Sequence, residues 1–211
     1  TLYTYDDNGN KLSTVNPLGD ITYYKYDKND NLLEITDALG NRTMYAYDRI
    51  GNQKTITDPQ GNITTYNYNG NNQITETIDS SGNRTAYEYD ANGNRTKIID
   101  PLGNGVVYRY NSLDLLETTI DPLGNTTAYQ YDRAGNTTAI IDANGSAISY
   151  EYNSLDQLIK SKDAQGAVTS YEYDAQGRLV SVIDPDSNKT SYYYDKNDQM
   201  IKTENALGQV M

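Results

Sequence analysis

The chain has 211 residues, 22 of them Tyr, with no Cys, His, Phe or Trp and a formal net charge of −12. These features exclude a disulfide framework and His- or Cys-based nucleophilic catalysis. They also disfavour nucleic-acid phosphates and anionic lipid as partners, and no apolar run nears the ~20 residues of a membrane-spanning helix.

The first element is extended, with Tyr3 and Tyr5 on one face, and Asp6 follows it. The same Tyr-(Asp/Asn) pair returns every 21 residues, at Tyr26, Tyr47, Tyr68, Tyr89, Tyr110, Tyr131, Tyr152, Tyr173 and Tyr194. A second column stands two residues earlier, at Tyr3, Tyr24, Tyr45, Tyr66, Tyr87, Tyr108, Tyr129, Tyr150, Tyr171 and Tyr192. Residues two apart in a strand share a face, so the two columns form a structural ladder. Tyr23 and Tyr193 lie outside it and are the candidates for ligand contact.

After the paired Tyr comes a turn. Gly9, Gly51, Gly93, Gly135 and Gly177 occupy its fourth position in alternate repeats, and Asp30, Asn72, Asp114, Asp156 and Asp198 in the others. Asp and Asn are the residues that best tolerate positive φ after Gly, so one turn type serves throughout. Two residues further on, Lys11, Gln53, Arg95, Thr137 and Leu179 alternate with the apolar Leu32, Ile74, Leu116, Leu158 and Met200. The unit is therefore a pair of hairpins, occurring five times, with alternate hairpins expected in different surroundings at this column.

A second extended segment follows, exemplified by Arg178 to Ile183, and then a second turn. Asp100-Pro101-Leu102-Gly103-Asn104 is its fullest form: Asp accepts backbone N–H bonds, Pro presets φ, and Gly closes a hairpin with a bulge. Its glycines are Gly19, Gly40, Gly61, Gly82, Gly103, Gly124, Gly145, Gly166 and Gly208, with Ser187 as the exception. The next strand, as in Asn125 to Tyr131, is rich in β formers.

Residues 1–211 thus read as one array of ten hairpin repeats, an excerpt of a longer one. Two strands per repeat give an antiparallel sheet whose fixed twist makes it spiral. Further repeats of the same or identical chains are the expected partners, by sheet pairing or stacking.

The pattern Tyr-Asp-x-x-Gly…Asp-(Pro/Ala)-x-Gly-Asn-x-Thr-x-Tyr-x-Tyr resembles the YD repeat of RHS proteins, best at Tyr173-Asp174-Ala175-Gln176-Gly177-Arg178-Leu179. The resemblance covers the whole chain. It implies an all-β sheet spiralling into a hollow shell, barrel or tube, as in bacterial polymorphic toxins, toxin-complex cocoons and the extracellular part of teneurins. It further implies a bacterial source, secretion or cell-surface display, and an enclosed polypeptide cargo. Most copies carry Asn where the family favours Arg after the turn glycine, and the family's C-terminal core signature has no match.

The expected function is a non-catalytic wall of a shell, tube or extracellular filament, with a carbohydrate-binding or adhesive module as the alternative. Asp residues that recur in every repeat read as turn formers rather than catalytic carboxylates. No cofactor is expected. Ca²⁺ between adjacent turns is the one metal considered, although Asp27 to Asn31 lacks the Gly and the distal Glu of an EF-hand. Glycans are the partners suggested by aromatic faces, while the sequons at Asn41, Asn83 and Asn125 read as N-glycosylation acceptors for a eukaryotic source.

Overall fold

The computed structural model describes residues 1–210 and contains twenty strands and no helix. The first ten are β1 (Leu2–Tyr5), β2 (Lys11–Val15), β3 (Ile21–Tyr26), β4 (Leu32–Thr36), β5 (Arg42–Tyr47), β6 (Gln53–Thr57), β7 (Ile63–Tyr68), β8 (Ile74–Ile78), β9 (Arg84–Tyr89) and β10 (Arg95–Ile99). The others are β11 (Gly105–Tyr110), β12 (Leu116–Ile120), β13 (Thr126–Tyr131), β14 (Thr137–Ile141), β15 (Ala147–Tyr152), β16 (Leu158–Lys162), β17 (Val168–Tyr173), β18 (Leu179–Ile183), β19 (Lys189–Tyr194) and β20 (Met200–Glu204).

The chain divides into two compact units, Thr1–Val106 and the part from Val107 onward. Within each, every strand pairs antiparallel with its neighbours in sequence. In the first unit β1 pairs with β2 alone, and in the second β20 pairs with β19, so each unit holds an open meander. Arg178 and Asn125, expected at strand starts, belong instead to turns: their carbonyls accept the N–H of Asp174 and Asp121.

Both turn types share one geometry. In the tyrosine turn Asp6–Asn10, the Asp6 N–H donates to the Asn10 carbonyl at 2.9 Å and Gly9 N–H donates to the Asp6 carbonyl at 3.1 Å. In the proline turn Asp100–Asn104 the corresponding distances are 2.9 and 3.0 Å. The fourth residue is left-handed in both, at φ 87° for Gly9 and 85° for Gly103. Asp30, Asn72, Asp114, Asp156 and Asp198 adopt φ of 59–63° at that position, as their alternation with Gly predicts, and Ser187 follows at 66°.

All ten hairpins closed by a tyrosine turn carry a β-bulge. In β1–β2, Thr4 faces Ser13 and Tyr5 faces Lys11, so Leu12 is the extra residue. A bulge bends its strand and strengthens the local twist. The even strands then meet the next odd strand over only three pairs, such as Ser13↔Tyr23, Thr14↔Thr22 and Val15↔Ile21. Successive hairpins therefore splay apart near the tyrosine turns.

The register separates two faces. The ladder tyrosines share one face with the column of Lys11 and Leu32 and with Thr14 and Ile35. The opposite face carries Ser13, Tyr23, Lys25, Glu34 and Arg42. No hydrophobic side chain among the described residues is buried; the buried residues are Ser13, Glu34 and Ser181.

Candidate functional site

Within each unit the repeated features converge on two rims, one formed by the tyrosine turns and one by the proline turns, and on the two faces between them. The tyrosine ladder is built differently from a stack of rings. Equivalent tyrosines lie two strands apart, ~9.6 Å, beyond the 4.5–7 Å of aromatic pairs. Tyr3 and Tyr5, on one strand, form a ring pair at 6.4 Å. Cross-strand neighbours of the first column are aliphatic or hydroxylic instead, as in Tyr24↔Ile35 and Tyr66↔Thr77.

What links the repeats is the hydroxyl of the second tyrosine column. Tyr47 donates to the Leu32 carbonyl at 2.9 Å, Tyr68 to Gln53 at 2.7 Å, Tyr89 to Ile74 at 2.8 Å and Tyr131 to Leu116 at 2.7 Å. Tyr26, Tyr173 and Tyr194 do the same to Lys11, Leu158 and Leu179. Each acceptor lies beside the bulge, beyond the last pair its strand makes with the next hairpin. The hydroxyl thus supplies a donor where the splayed strands leave a carbonyl without one. Burial pushes the Tyr47, Tyr68, Tyr131 and Tyr152 hydroxyls up from their usual range, helped by the neighbouring tyrosines of the first column.

At the tyrosine rim, side chains also bridge successive turns. Asn10 Nδ2 donates to Asp30 Oδ1 at 2.6 Å, Asn136 to Asp156 at 2.8 Å and Arg178 to Asp198 at 2.7 Å, while Asn52 donates to Asn72 Oδ1 at 3.1 Å. In the alternate step Gln73 and Gln157 donate to the carbonyls of Gly93 and Gly177, both at 3.0 Å. The bridged steps therefore differ in their acceptor at the left-handed position, and the step from Leu115 to Gly135 has no side-chain donor. Asp or Asn accepts through its side chain, and Gly, lacking one, accepts through its backbone. The sequence held this signal as a donor at the fifth turn position, twenty residues before its acceptor.

The column assigned to different surroundings does not show them. Its members are half-buried in both sets, with Arg95 and Met200 exposed. The cations there lie over rings: Lys11 Nζ is 4.3 Å from the Tyr24 ring centre and Arg95 is 5.0 Å from that of Tyr87.

The proline rim is self-contained. Asp100 Oδ1 accepts the N–H of Leu102 at 2.9 Å and of Asn104 at 2.8 Å, and Asn104 Nδ2 donates to Asp100 Oδ2 at 2.8 Å. The same set recurs at Asp37, Asp58, Asp79 and Asp121, whose carboxyls lie below their usual range, chiefly because the side-chain amide of the fifth residue donates to them. The sequon amides of Asn41, Asn83 and Asn125 are engaged in this way, each at 2.7 Å. Among the described residues no recorded hydrogen bond joins one proline turn to the next. Leu18 and Leu39 at its tips are 88% exposed.

The opposite face carries ion pairs. Glu34, with its side chain 11% exposed, sits between Lys25 and Arg42, and Arg42 above all, then Lys25, holds its carboxyl at about 2. The ligand candidates Tyr23 and Tyr193 both lie on this face, 52% and 42% exposed. Tyr193 is engaged with Glu204 and carries Lys202 Nζ 4.6 Å from its ring centre. The carboxylates considered for Ca²⁺ serve the turns: Asp27 accepts from Asn29 and Asn31, and Asp30 from Asn8 and Asn10. Among the described residues no three Asp or Glu side chains meet as a metal site would require.

The RHS Repeat family model matches residues 26–63, 47–82, 68–104, 110–147, 152–189 and 173–210, in overlapping copies over most of the chain. No curated protein sequence matches it. Among solved structures, the chain is similar to one in the crystal structure of TcdB2-TccC3-TEV, with TM-score 0.80 and 19% identity over 97% of this chain. It is also similar to a chain of the Photorhabdus luminescens Tc holotoxin pore, with TM-score 0.56 and 18% identity over 98%. It spans 12% and 14% of the length of those two chains. At such identities the likeness is one of fold.

Proposed function

The chain belongs to the RHS Repeat family, and from that premise we propose that it is a non-catalytic length of wall in a hollow bacterial shell, tube or extracellular fibre. The absence of any buried hydrophobic side chain among the described residues carries this reading. A globule needs a packed core; here cohesion comes from strand to neighbouring strand, repeated without change, which suits a surface that separates two spaces. The polar groups in the turns recur with the repeat, as structural parts do and active sites do not.

The wall would be secreted, and an enclosed polypeptide would be its cargo. Electron microscopy of the full-length assembly tests this, together with protease protection of whatever the wall surrounds. A lumen bounded by a single sheet layer is the expected result. A solid particle with no internal space would overturn the reading.

The carbohydrate-binding alternative draws on less. From Tyr24 onward the ladder tyrosines are half-buried, and seven of their hydroxyls are committed to backbone carbonyls. Tyr23 and Tyr193 are the exposed aromatic side chains that remain beyond the first strand.

A further inference from the structure

Five asparagines of the chain are followed directly by glycine: Asn8, Asn69, Asn92, Asn104 and Asn144. Such a pair is open to self-modification, because a glycine nitrogen with no Cβ beside it can approach the asparagine Cγ. Four of the five are held. Asn8 Nδ2 donates to Asp30 Oδ1 at 3.0 Å, Asn69 Nδ2 to Gln73 Oε1 at 2.9 Å and Asn104 Nδ2 to Asp100 Oδ2 at 2.8 Å, and Asn92 is engaged as well. The Asn144 side chain makes no hydrogen bond to any described residue; its backbone N–H alone is used, donating to Asp142 Oδ1 at 2.9 Å.

The turn around Asn144 is also less secured than its neighbours. In Asp100–Asn104 and Asp121–Asn125 the amide of the fifth residue closes on the Asp Oδ2. In Asp142–Ser146 the fifth residue is Ser146, which holds Asp142 through its backbone N–H and carbonyl only. From Asp142 to Ile148 every residue is exposed. The turn Asp163–Ala167 lacks the closing amide too, but it carries Gln165 before its glycine. The extra methylene of Gln would demand a six-membered ring, which closes more slowly.

We propose that Asn144 is a site of spontaneous deamidation, selected from the five Asn-Gly pairs by the weakness of its turn. Local opening breaks the bond from the Gly145 N–H to the Asp142 carbonyl, 3.0 Å in the closed turn. The Gly145 nitrogen then attacks Asn144 Cγ. A Cγ–N bond forms, the Cγ–Nδ2 bond breaks, and the proton of the Gly145 nitrogen leaves with the amide as ammonia. Water opens the resulting five-membered succinimide at one of two carbonyls. Cleavage at Cγ leaves aspartate; cleavage at the backbone carbonyl leaves isoaspartate, with the main chain running through Cβ. Each event adds one negative charge. The turn accepts the first product, since Asp186 occupies the same column in Asp184–Asn188 with the same backbone bonds. The second product lengthens the main chain by one carbon, so Ser146 no longer meets Asp142 and the hairpin of β14 and β15 loosens. The inference is independent of whether the array encloses a cargo.

Peptide mapping by mass spectrometry, after incubation of the 211-residue chain in warm, mildly alkaline buffer, tests it. Asn144 should convert several-fold faster than Asn8, Asn69, Asn92 and Asn104, giving both aspartate and isoaspartate. Ser146→Asn, which copies the closing amide of Asn104, should slow conversion at Asn144 by roughly two- to tenfold. In urea sufficient to unfold the chain the five rates should converge, since each asparagine then differs little beyond its glycine. The proposal is overturned if Asn144 does not convert, if any of the other four keeps pace with it in the folded chain, if Ser146→Asn leaves its rate unchanged, or if the ranking persists in urea.

Discussion

The two rims are made from the same five-residue turn yet are held in different ways. At the proline rim each turn satisfies its own donors and acceptors, and its tip residue is free to vary from Leu to Gln to Asp. At the tyrosine rim the splay produced by the bulge leaves backbone groups without partners, so the turns hold one another through Asn, Gln and Arg side chains, and tyrosine hydroxyls close the gap. Identical backbone geometry does not impose identical dependence on neighbours. A turn can be a self-sufficient element or a link in a chain, according to what the strands beside it leave unpaired.

The largest expected difference between the rims is at their glycines. Gly40→Ala at the proline rim forces an alanine to φ near 83° in otherwise open space, at a cost of ~1–2 kcal/mol. Gly93→Ala at the tyrosine rim carries that strain, and its Cβ would lie 3.2 Å from Gln73 Nε2. Disturbing the bond from Gln73 adds ~0.5–1.5 kcal/mol. Urea unfolding of the two variants should rank Gly93→Ala as the more destabilised; equal losses would mean that the bridge between turns contributes nothing.

A smaller effect separates two tyrosines of one column. Tyr47→Phe removes the donor to the Leu32 carbonyl and should cost ~1 kcal/mol. Tyr152 has no recorded hydroxyl partner, so Tyr152→Phe should fall within ~0.5 kcal/mol of the parent. Thermal melts of the pair decide whether the hydroxyl or only the ring matters.

The rims should also part company with pH. The turn carboxyls of Asp27, Asp37, Asp58, Asp79, Asp100, Asp121 and Asp132 are lowered in the fold, with the donated side-chain amide as the first cause. Their contribution is present above the unfolded value of ~3.9 and is lost as pH falls through the lowered folded values, on both rims together. The hydroxyls of Tyr47, Tyr68 and Tyr131 are raised. Their contribution is present below ~10 and is lost as pH rises through the raised values, at the tyrosine rim alone. Melting temperature against pH, with tyrosinate absorbance, should show an alkaline limb that steepens with ionisation. An alkaline limb that begins before any tyrosinate appears would remove the tyrosines as its cause.

The smallest difference between the rims is expected from Gln73→Leu, which copies Leu115 at the same turn position and deletes the bond to Gly93, set against a substitution at a proline-turn tip. It should cost ~0.5–1 kcal/mol, whereas Leu39→Asn at the proline rim should leave the stability of an isolated chain within ~0.5 kcal/mol.

Much of this was legible in the sequence because turn chemistry is local. Asp100-Pro101-Leu102-Gly103-Asn104 dictates its own geometry, and the exchange of Gly9 for Asp30 announced a left-handed residue in both. Thr127, Tyr129 and Tyr131 share a face because a strand alternates. The bulge at Leu12 was not legible, since one extra residue in a five-residue strand leaves no mark on a fixed spacing. Without the bulge, neither the splay nor the hydroxyl bond that closes it could be foreseen, and the paired period was assigned to the column of Lys11 and Leu32. The bridges between turns run instead from the fifth turn residue to the left-handed residue of the following turn, as from Asn10 to Asp30.

The hydroxyl bonds also have a direction. In each the later hairpin gives the proton and the earlier one supplies the carbonyl, as from Tyr47 back to Leu32. During synthesis the earlier hairpin leaves the ribosome first and waits with its acceptor exposed; the next arrives carrying the matching donor. The array can therefore be laid down in the order in which it is translated, each hairpin serving as template for its successor, so that construction of so long a sheet need not wait for its far end.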